Sequence, residues 1–318
     1  MRSYTSSSEL FRIIIKLVLA LALFFGLNLL IYQLLDHMYF QSFGGNSGAQ
    51  INHVLRQTSD IFIFGASRAS HHYDPLTIEK ATGMSVFNAG DDGKNAVYQL
   101  GLLKMLLKKH TPQAIIYEVG DVGYGLAGGT VDLYPYYHHD PEVRQLLRGN
   151  EDLASLKFLV PLYSYNRKIF NVSKGYLLKT KPRANGFRPI DGSMHPAEAK
   201  RISEGFNASI TETPFPSADP YALDCFRDFA ATCSDLGIAL FFVYSPVYAP
   251  SELWFEHYVQ RLAIEHQIRY ISYAEDKVFN WSDSLFKDGG HLNRDGAILF
   301  TSDLMRRIHI GKRMASVK

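Results

Sequence analysis

Hydrophobic positions fall along this chain in one long block and then in several short ones. From Ile13 to Leu35 almost every residue is apolar, and Lys16, Asn28 and Gln33 are the interruptions. A run of that length predicts a helix able to cross a ~30 Å hydrocarbon core. The later blocks are Ile61–Phe64, Ser85–Asn88, Ala114–Val119, Ala239–Tyr244 and Arg269–Ile271. Short apolar runs closed by turn residues read as strands of a parallel sheet, which is covered on both faces. Helical patterns lie between and beyond them, at Pro75–Thr82, Ala96–Lys109, Tyr221–Leu236, Ser251–Glu265 and Arg294–Ile308. Alternation of strand and helix predicts an α/β fold, with a parallel central sheet and helices on both faces.

The same pattern divides the chain. Residues 1–36 form a polar amino-terminal tail and the transmembrane anchor, residues 37–59 a linker with Gly44, Gly45, Asn46 and Ser47 in its middle, and residues 60–318 the folded domain. Arg2, Arg12 and Lys16 lie at the amino-terminal side of the apolar run. The positive-inside rule therefore predicts a single-pass membrane protein, with its amino terminus in the cytoplasm and its body outside. No small-x-small site directly follows the run, which favours an uncleaved anchor over a signal peptide. The segment of about 123–220 interrupts the alternation. A structureless loop of that size is implausible, so it reads as an inserted cap with short helices. It carries Tyr134, Tyr136 and Tyr137, and these offer an aromatic platform for a sugar.

Composition narrows the choices. The 318 residues are 47% hydrophobic and 20% charged, with a formal net charge of +2, so nucleic-acid binding has no electrostatic footprint. The two cysteines, Cys225 and Cys233, are too far apart within one helix to bridge. No CxxC or HExxH pattern occurs, and no metal or other cofactor is implied. The pairs His71–His72 and His138–His139 have no third ligand at a recognisable spacing, and ordinary core or surface roles are expected for them.

Four stretches carry candidate chemistry. In IFIFGASRAS, Ser67 follows a buried strand and a glycine, at the sheet edge where open α/β sheets bind ligands. In VFNAGDDGKN, Gly90 and Gly93 can present backbone N–H groups, and Asn95 adds an amide. The strand of IIYEVGD places Gly120 and Asp121 at the same edge. In KDGGHLNRDGA, Asp288 and His291 lie three apart in a glycine-bearing turn. There a carboxylate can orient an imidazole whose second nitrogen takes a proton from a serine. Asn293 reads as the cap of the last helix.

In this order, a GxS after the first strand, an N-A-G-x-x-G after the second and a D-x-x-H before the last helix resemble the SGNH (GDSL-like) hydrolase superfamily. Within it the chain looks most like the membrane-anchored branch of DltD-like and polysaccharide O-acetyltransferase-like proteins. The resemblance implies a flavodoxin-like three-layer sandwich. It further implies Ser67 as nucleophile, His291 as base, Asp288 as its orienting carboxylate, and Gly93 as an oxyanion donor, with Gly90 as fallback. The superfamily's third block supplies an asparagine that EVGDVG lacks, and Asn95 or Asp121 can stand in. The activity so implied is that of a serine esterase or O-acyltransferase on acyl esters of cell-surface glycans, beside a membrane O-acyltransferase-type partner. The alternatives are a non-catalytic docking protein in a glycan-modification complex, and a glycan-binding module.

Overall fold

The computed structural model describes residues 7–42, 50–120, 122, 129–179, 184–208, 218–250, 255–308 and 310. Asp121 and the start of the expected cap lie outside the described residues. The helices are α1 (Ser7–Phe40), α2 (Gln50–Val54), α3 (Ser67–His72), α4 (Pro75–Thr82), α5 (Ala96–Leu107), α6 (Pro141–Asn150), α7 (Ala154–Lys157), α8 (Ile169–Leu177), α9 (Pro196–Ala208), α10 (Pro220–Asp235), α11 (Glu256–Glu265) and α12 (Arg294–Arg307). The strands are β1 (Ile61–Phe64), β2 (Val86–Asn88), β3 (Ala114–Glu118), β4 (Ala239–Tyr244) and β5 (Arg269–Ser272).

Two compact units form. The smaller comprises residues 1–49 and 134–180, and the larger residues 50–133 and 181–318. The segment read as one cap is thus shared between them. The segment read as a linker holds the end of α1 and all of α2, whose Ile51 and Val54 are buried.

The larger unit is a parallel sheet in the order β2-β1-β3-β4-β5, with helices on both faces. All four β1 residues are buried because alternate side chains meet different layers. Ile61 and Ile63 join the cluster that holds Phe300 and Leu304 of α12, while Phe64 packs edge-on to Phe229 of α10. α5 is buried almost throughout, which explains why it is apolar on all sides. The chain leaves β1 for β2 on one side and returns to β3 on the other. Their carboxyl ends therefore flank the topological switch point, where open sheets of this order leave a crevice.

The smaller unit is built on α1. Its segment Glu9–Phe40 is long and apolar enough to cross a membrane, and its most apolar window is only 6% buried. α8 and the 3-10 turn Pro161–Tyr165 pack on α1. Tyr134, Tyr136 and Tyr137 are buried here rather than displayed. Tyr137 stacks on Phe158 at 3.8 Å, Tyr134 on Tyr163 at 5.8 Å, and Tyr136 meets Tyr39 of α1 edge-on at 5.9 Å. The expected sugar platform is corrected on this point: these rings are spent on internal packing.

Candidate active site

β1 ends at Phe64, and the chain turns through Gly65 directly into α3. Gly65 has φ +137°, and a Cβ there would come within 2.8 Å of the Glu118 Cβ and 2.9 Å of the Ala69 Cβ, so only glycine fits this turn. The turn puts Ser67 on the first residue of α3, beside the end of β3. Ala66 caps α3 without a side-chain hydrogen bond. The Ser67 N–H has no partner among the described residues, as expected for the first turn of a helix.

Three residues far apart in sequence meet here. The Ser67 Oγ lies 2.8 Å from the His291 Nε2. The His291 Nδ1 lies 2.9 and 3.1 Å from the two carboxylate oxygens of Asp288. A carboxylate only accepts, so Nδ1 carries the hydrogen and Nε2 is the acceptor for the serine hydroxyl. Asp288 also accepts from the N–H groups of Gly290 and His291, each at 2.9 Å. Burial works to raise the Asp288 carboxyl. The hydrogen bonds from the His291 ring and the Gly290 backbone outweigh it and hold the group below the usual carboxylate range.

The loop that presents His291 is fastened on both sides. Phe286 and Leu292 form an antiparallel bridge across it, and the Lys287 N–H donates to the His291 carbonyl at 2.8 Å. Asn293 caps α12 by accepting from the Gly296 N–H, as its position in the sequence predicts. The Leu292 N–H donates to the His72 Nε2 at 3.0 Å, and the other His72 nitrogen lies 2.8 Å from the Ser245 Oγ. Because an amide N–H can only donate, His72 is neutral, with its hydrogen on Nδ1. Complete burial, reinforced by the positive charge of Arg68, pushes the His72 pKa well below that of an ordinary histidine.

Ser67 and His291 open on a cleft of about 240 Å³, lined also by Arg68, Gly120, Tyr244 and Gly290. Arg68 is the conspicuous member. Its Nη2 lies 3.1 Å from the Glu118 Oε1, the two side chains being 8% and 0% exposed. Its guanidinium carbon sits 4.5 Å from the centre of the Tyr244 ring. A Cβ on Gly120 would fall 0.9 Å from that same Nη2, so the guanidinium fills the volume from which any side chain at position 120 would grow. Glu118 is further saturated: it accepts from the Gly120 N–H at 3.0 Å, the Tyr73 hydroxyl at 2.6 Å and the Ser245 N–H at 3.0 Å. Burial, with the Glu118 charge beside it, pushes the Tyr73 hydroxyl pKa well up.

The remaining expected donors divide. Gly93 has φ +67° and an open position, and its N–H meets no partner among the described residues. The Gly90 N–H is already given to the Asn88 Oδ1 at 3.0 Å, which corrects its role as fallback donor. Asn88 in turn donates to the carbonyls of Ala69 and Tyr73, tying β2 to the middle and the carboxyl end of α3. Asn95 caps α5 by accepting from the Tyr98 N–H at 3.2 Å, so its carboxamide is turned to a helix end. Asp121 lies outside the described residues.

The Gly-Phe-Arg-Pro turn of residues 186–189 reaches α3, the helix that begins with Ser67. Arg188 Nη2 donates to the Asp92 Oδ1 at 2.6 Å and to the Ser70 Oγ at 2.9 Å, and the Arg188 N–H donates to the Ser70 carbonyl. His71 bridges the Arg188 carbonyl at 2.5 Å and Asp92 at 3.2 Å. Burial opposes ionisation of Asp92, but His71 and Arg188 hold its carboxyl far below the usual range. Sequence reasoning missed Arg68, Glu118, His72 and Arg188. Within GASRASHHY the first and third of these were visible as residue types without visible partners.

No protein-family model matches the chain. No curated protein matches it either. A solved structure described as "a putative platelet activating factor from Streptococcus pneumonia" is similar over 92% of this chain and 99% of that one, at 12% identity and a TM-score of 0.40. A likeness at that level carries no argument about activity.

Proposed function

We propose that this protein is a membrane-anchored serine esterase or O-acyltransferase that works through an acyl-Ser67 intermediate. The observation that carries the reading is the unbroken hydrogen-bonded chain Ser67–His291–Asp288 at the β1/β3 switch point. In the first step the Ser67 Oγ attacks the carbonyl carbon of an ester, and its proton passes to the His291 Nε2. The new imidazolium faces the Asp288 carboxylate, which stabilises it and keeps the ring in register. The carbonyl oxygen takes the negative charge. The N–H groups of Ser67 and Gly93 and the guanidinium of Arg68 stabilise that oxyanion. Collapse expels the alcohol, which leaves with the proton from His291, and Ser67 is acylated. Water or an acceptor hydroxyl then attacks the acyl carbon and gives its proton to His291. A second collapse returns that proton to Ser67 and releases an acid or a new ester.

Acyl esters of cell-surface glycans are the substrate class that the sequence resemblance supports. The basic residues before the apolar run favour a domain outside the cytoplasm, where such glycans lie. The test is ester turnover by the full chain in detergent, with an aryl acetate as donor and oligosaccharides as acceptors. Turnover is expected in the native protein and is expected to vanish in Ser67→Ala. Turnover undiminished in Ser67→Ala contradicts the reading. An absence of both turnover and Ser67 labelling favours a non-catalytic assembly protein instead.

A further inference from the structure

The smaller unit exposes several large apolar side chains that play no part in the chemistry above. Leu156 lies on α7 with Leu153 and Leu159 on either side of it, while Phe170, Leu177 and Leu178 lie on α8 or directly after it. Phe170 is 75% exposed and Leu177 70%. Single apolar residues on a surface need no explanation, but a concentration of them marks an interaction surface.

What identifies the occupant is the attachment of this segment to α1 through α8 and the turn Pro161–Tyr165. The Asn28 Oδ1 accepts from the Leu162 N–H at 3.2 Å, and Asn28 is only 6% exposed. Asn28 precedes Leu35, the end of the apolar run, by seven residues, which is about 10 Å along a helix. Asp36, just past that end, accepts from the Tyr165 hydroxyl at 2.8 Å. The turn Pro161–Tyr165 therefore runs alongside the last part of the apolar run. With α1 across a bilayer, Leu162 lies below the edge of the hydrocarbon core. There the Asn28 amide oxygen finds its partner in protein, as buried polar groups in lipid must. The apolar side chains on either side of this turn then face lipid. Arg167, Lys174 and Lys179 are exposed on the same stretch, and long basic side chains reach from such a depth to anionic headgroups.

We propose that residues 153–178 are immersed in the leaflet that holds the carboxyl-terminal half of α1. They form an interfacial collar, and the protein grips the bilayer through more than a lone helix. The inference rests on α1 crossing the membrane, which the proposed function also assumes. It does not depend on catalysis.

The full chain, reconstituted in phosphatidylcholine–phosphatidylglycerol vesicles, tests it. Phe170→Cys and Leu177→Cys replace exposed side chains, and Lys200→Cys on α9, where the native side chain is 77% exposed, serves as the aqueous reference. The native Cys225 and Cys233 are buried. Toward a membrane-impermeant maleimide the first two variants are expected to react about tenfold or more slowly than the reference. Nitroxides at the two sites are expected to be relaxed by oxygen more than by a polar nickel chelate. Reaction of Phe170→Cys at the rate of Lys200→Cys overturns the collar. So does protection seen in native membranes but lost in lipid-only vesicles, since a protein partner would then be the cover. Release of the chain by alkaline carbonate overturns the anchor and the collar together.

Discussion

Replacing Arg68 by Met removes a cation from the Ser67 cleft while keeping much of the side chain's length. Two effects follow, and they separate. The first is structural. Glu118 loses its ion-pair partner at 3.1 Å but keeps three hydrogen-bond donors, from Gly120, Tyr73 and Ser245. Breaking a buried pair costs about 3–5 kcal/mol, because it strands a charge. The second is catalytic. Loss of one oxyanion donor lowers kcat by about 10²–10³, or roughly 3–4 kcal/mol of transition-state stabilisation. The double variant Arg68→Met/Glu118→Gln distinguishes the two. It removes both charges, and the amide oxygen can still accept from the Tyr73 hydroxyl and the Ser245 N–H while the amide NH2 faces the Gly120 N–H, so part of the stability is expected to return while kcat stays low. The assay is turnover of a neutral aryl ester by the full chain, with the thermal midpoint measured in the same detergent. KM is expected within about threefold of native, because the guanidinium acts on charge that develops only in the transition state. A double variant with native kcat on the neutral ester refutes the reasoning. So does a loss confined to esters that bear an anionic group, since Arg68 would then be reading the substrate rather than the oxyanion.

Gly120→Ala places a methyl group 0.9 Å from the resting Arg68 Nη2 and must displace the guanidinium. Its kcat is expected to fall to within about tenfold of the Arg68→Met value, and native turnover would contradict the placement. His72 titrates in the opposite sense to a paired histidine. Its folded pKa is depressed, so its contribution to stability is present above the unfolded value of about 6.5 and is lost as pH falls below it. The native thermal midpoint should decline from pH 7.5 to 5.5. His72→Gln should be less stable at pH 7.5 but lose up to about 1.4 kcal/mol less per pH unit below 6.5. Parallel pH profiles for the two proteins would contradict this.

Much of the larger unit was legible because its signals are local. β1 is apolar at every position since both faces of the sheet are covered, and β1, β4 and α4 have the predicted bounds. The glycine after β1 and the Asp–x–x–His turn before α12 mark chain geometry that depends on few neighbours. The partners of Arg68 and His72 were not legible. Glu118 is 50 residues from Arg68, and Leu292 is 220 from His72, so only the folded sheet brings them together. A lone charge in a sequence reads as solvated until a buried counter-charge is seen. The tyrosines of residues 134–137 failed for a related reason. Aromatic residues in a polar segment suit either a ligand or a core, and Phe158, Tyr163 and Tyr39 of α1 supplied the core. Gly90 and Asn95 have the residue types of oxyanion donors, but the Gly90 N–H is given to Asn88, and the Asn95 carboxamide is oriented by the bond its oxygen accepts from the Tyr98 N–H.

The most direct measurement of the central claim is labelling of the full chain with a fluorophosphonate, followed by peptide mass spectrometry. One modified serine is expected, Ser67. No labelling is expected in Ser67→Ala, and labelling slowed by about 10² or more is expected in His291→Ala. A native chain that stays unmodified, or one labelled equally well without His291, would contradict it.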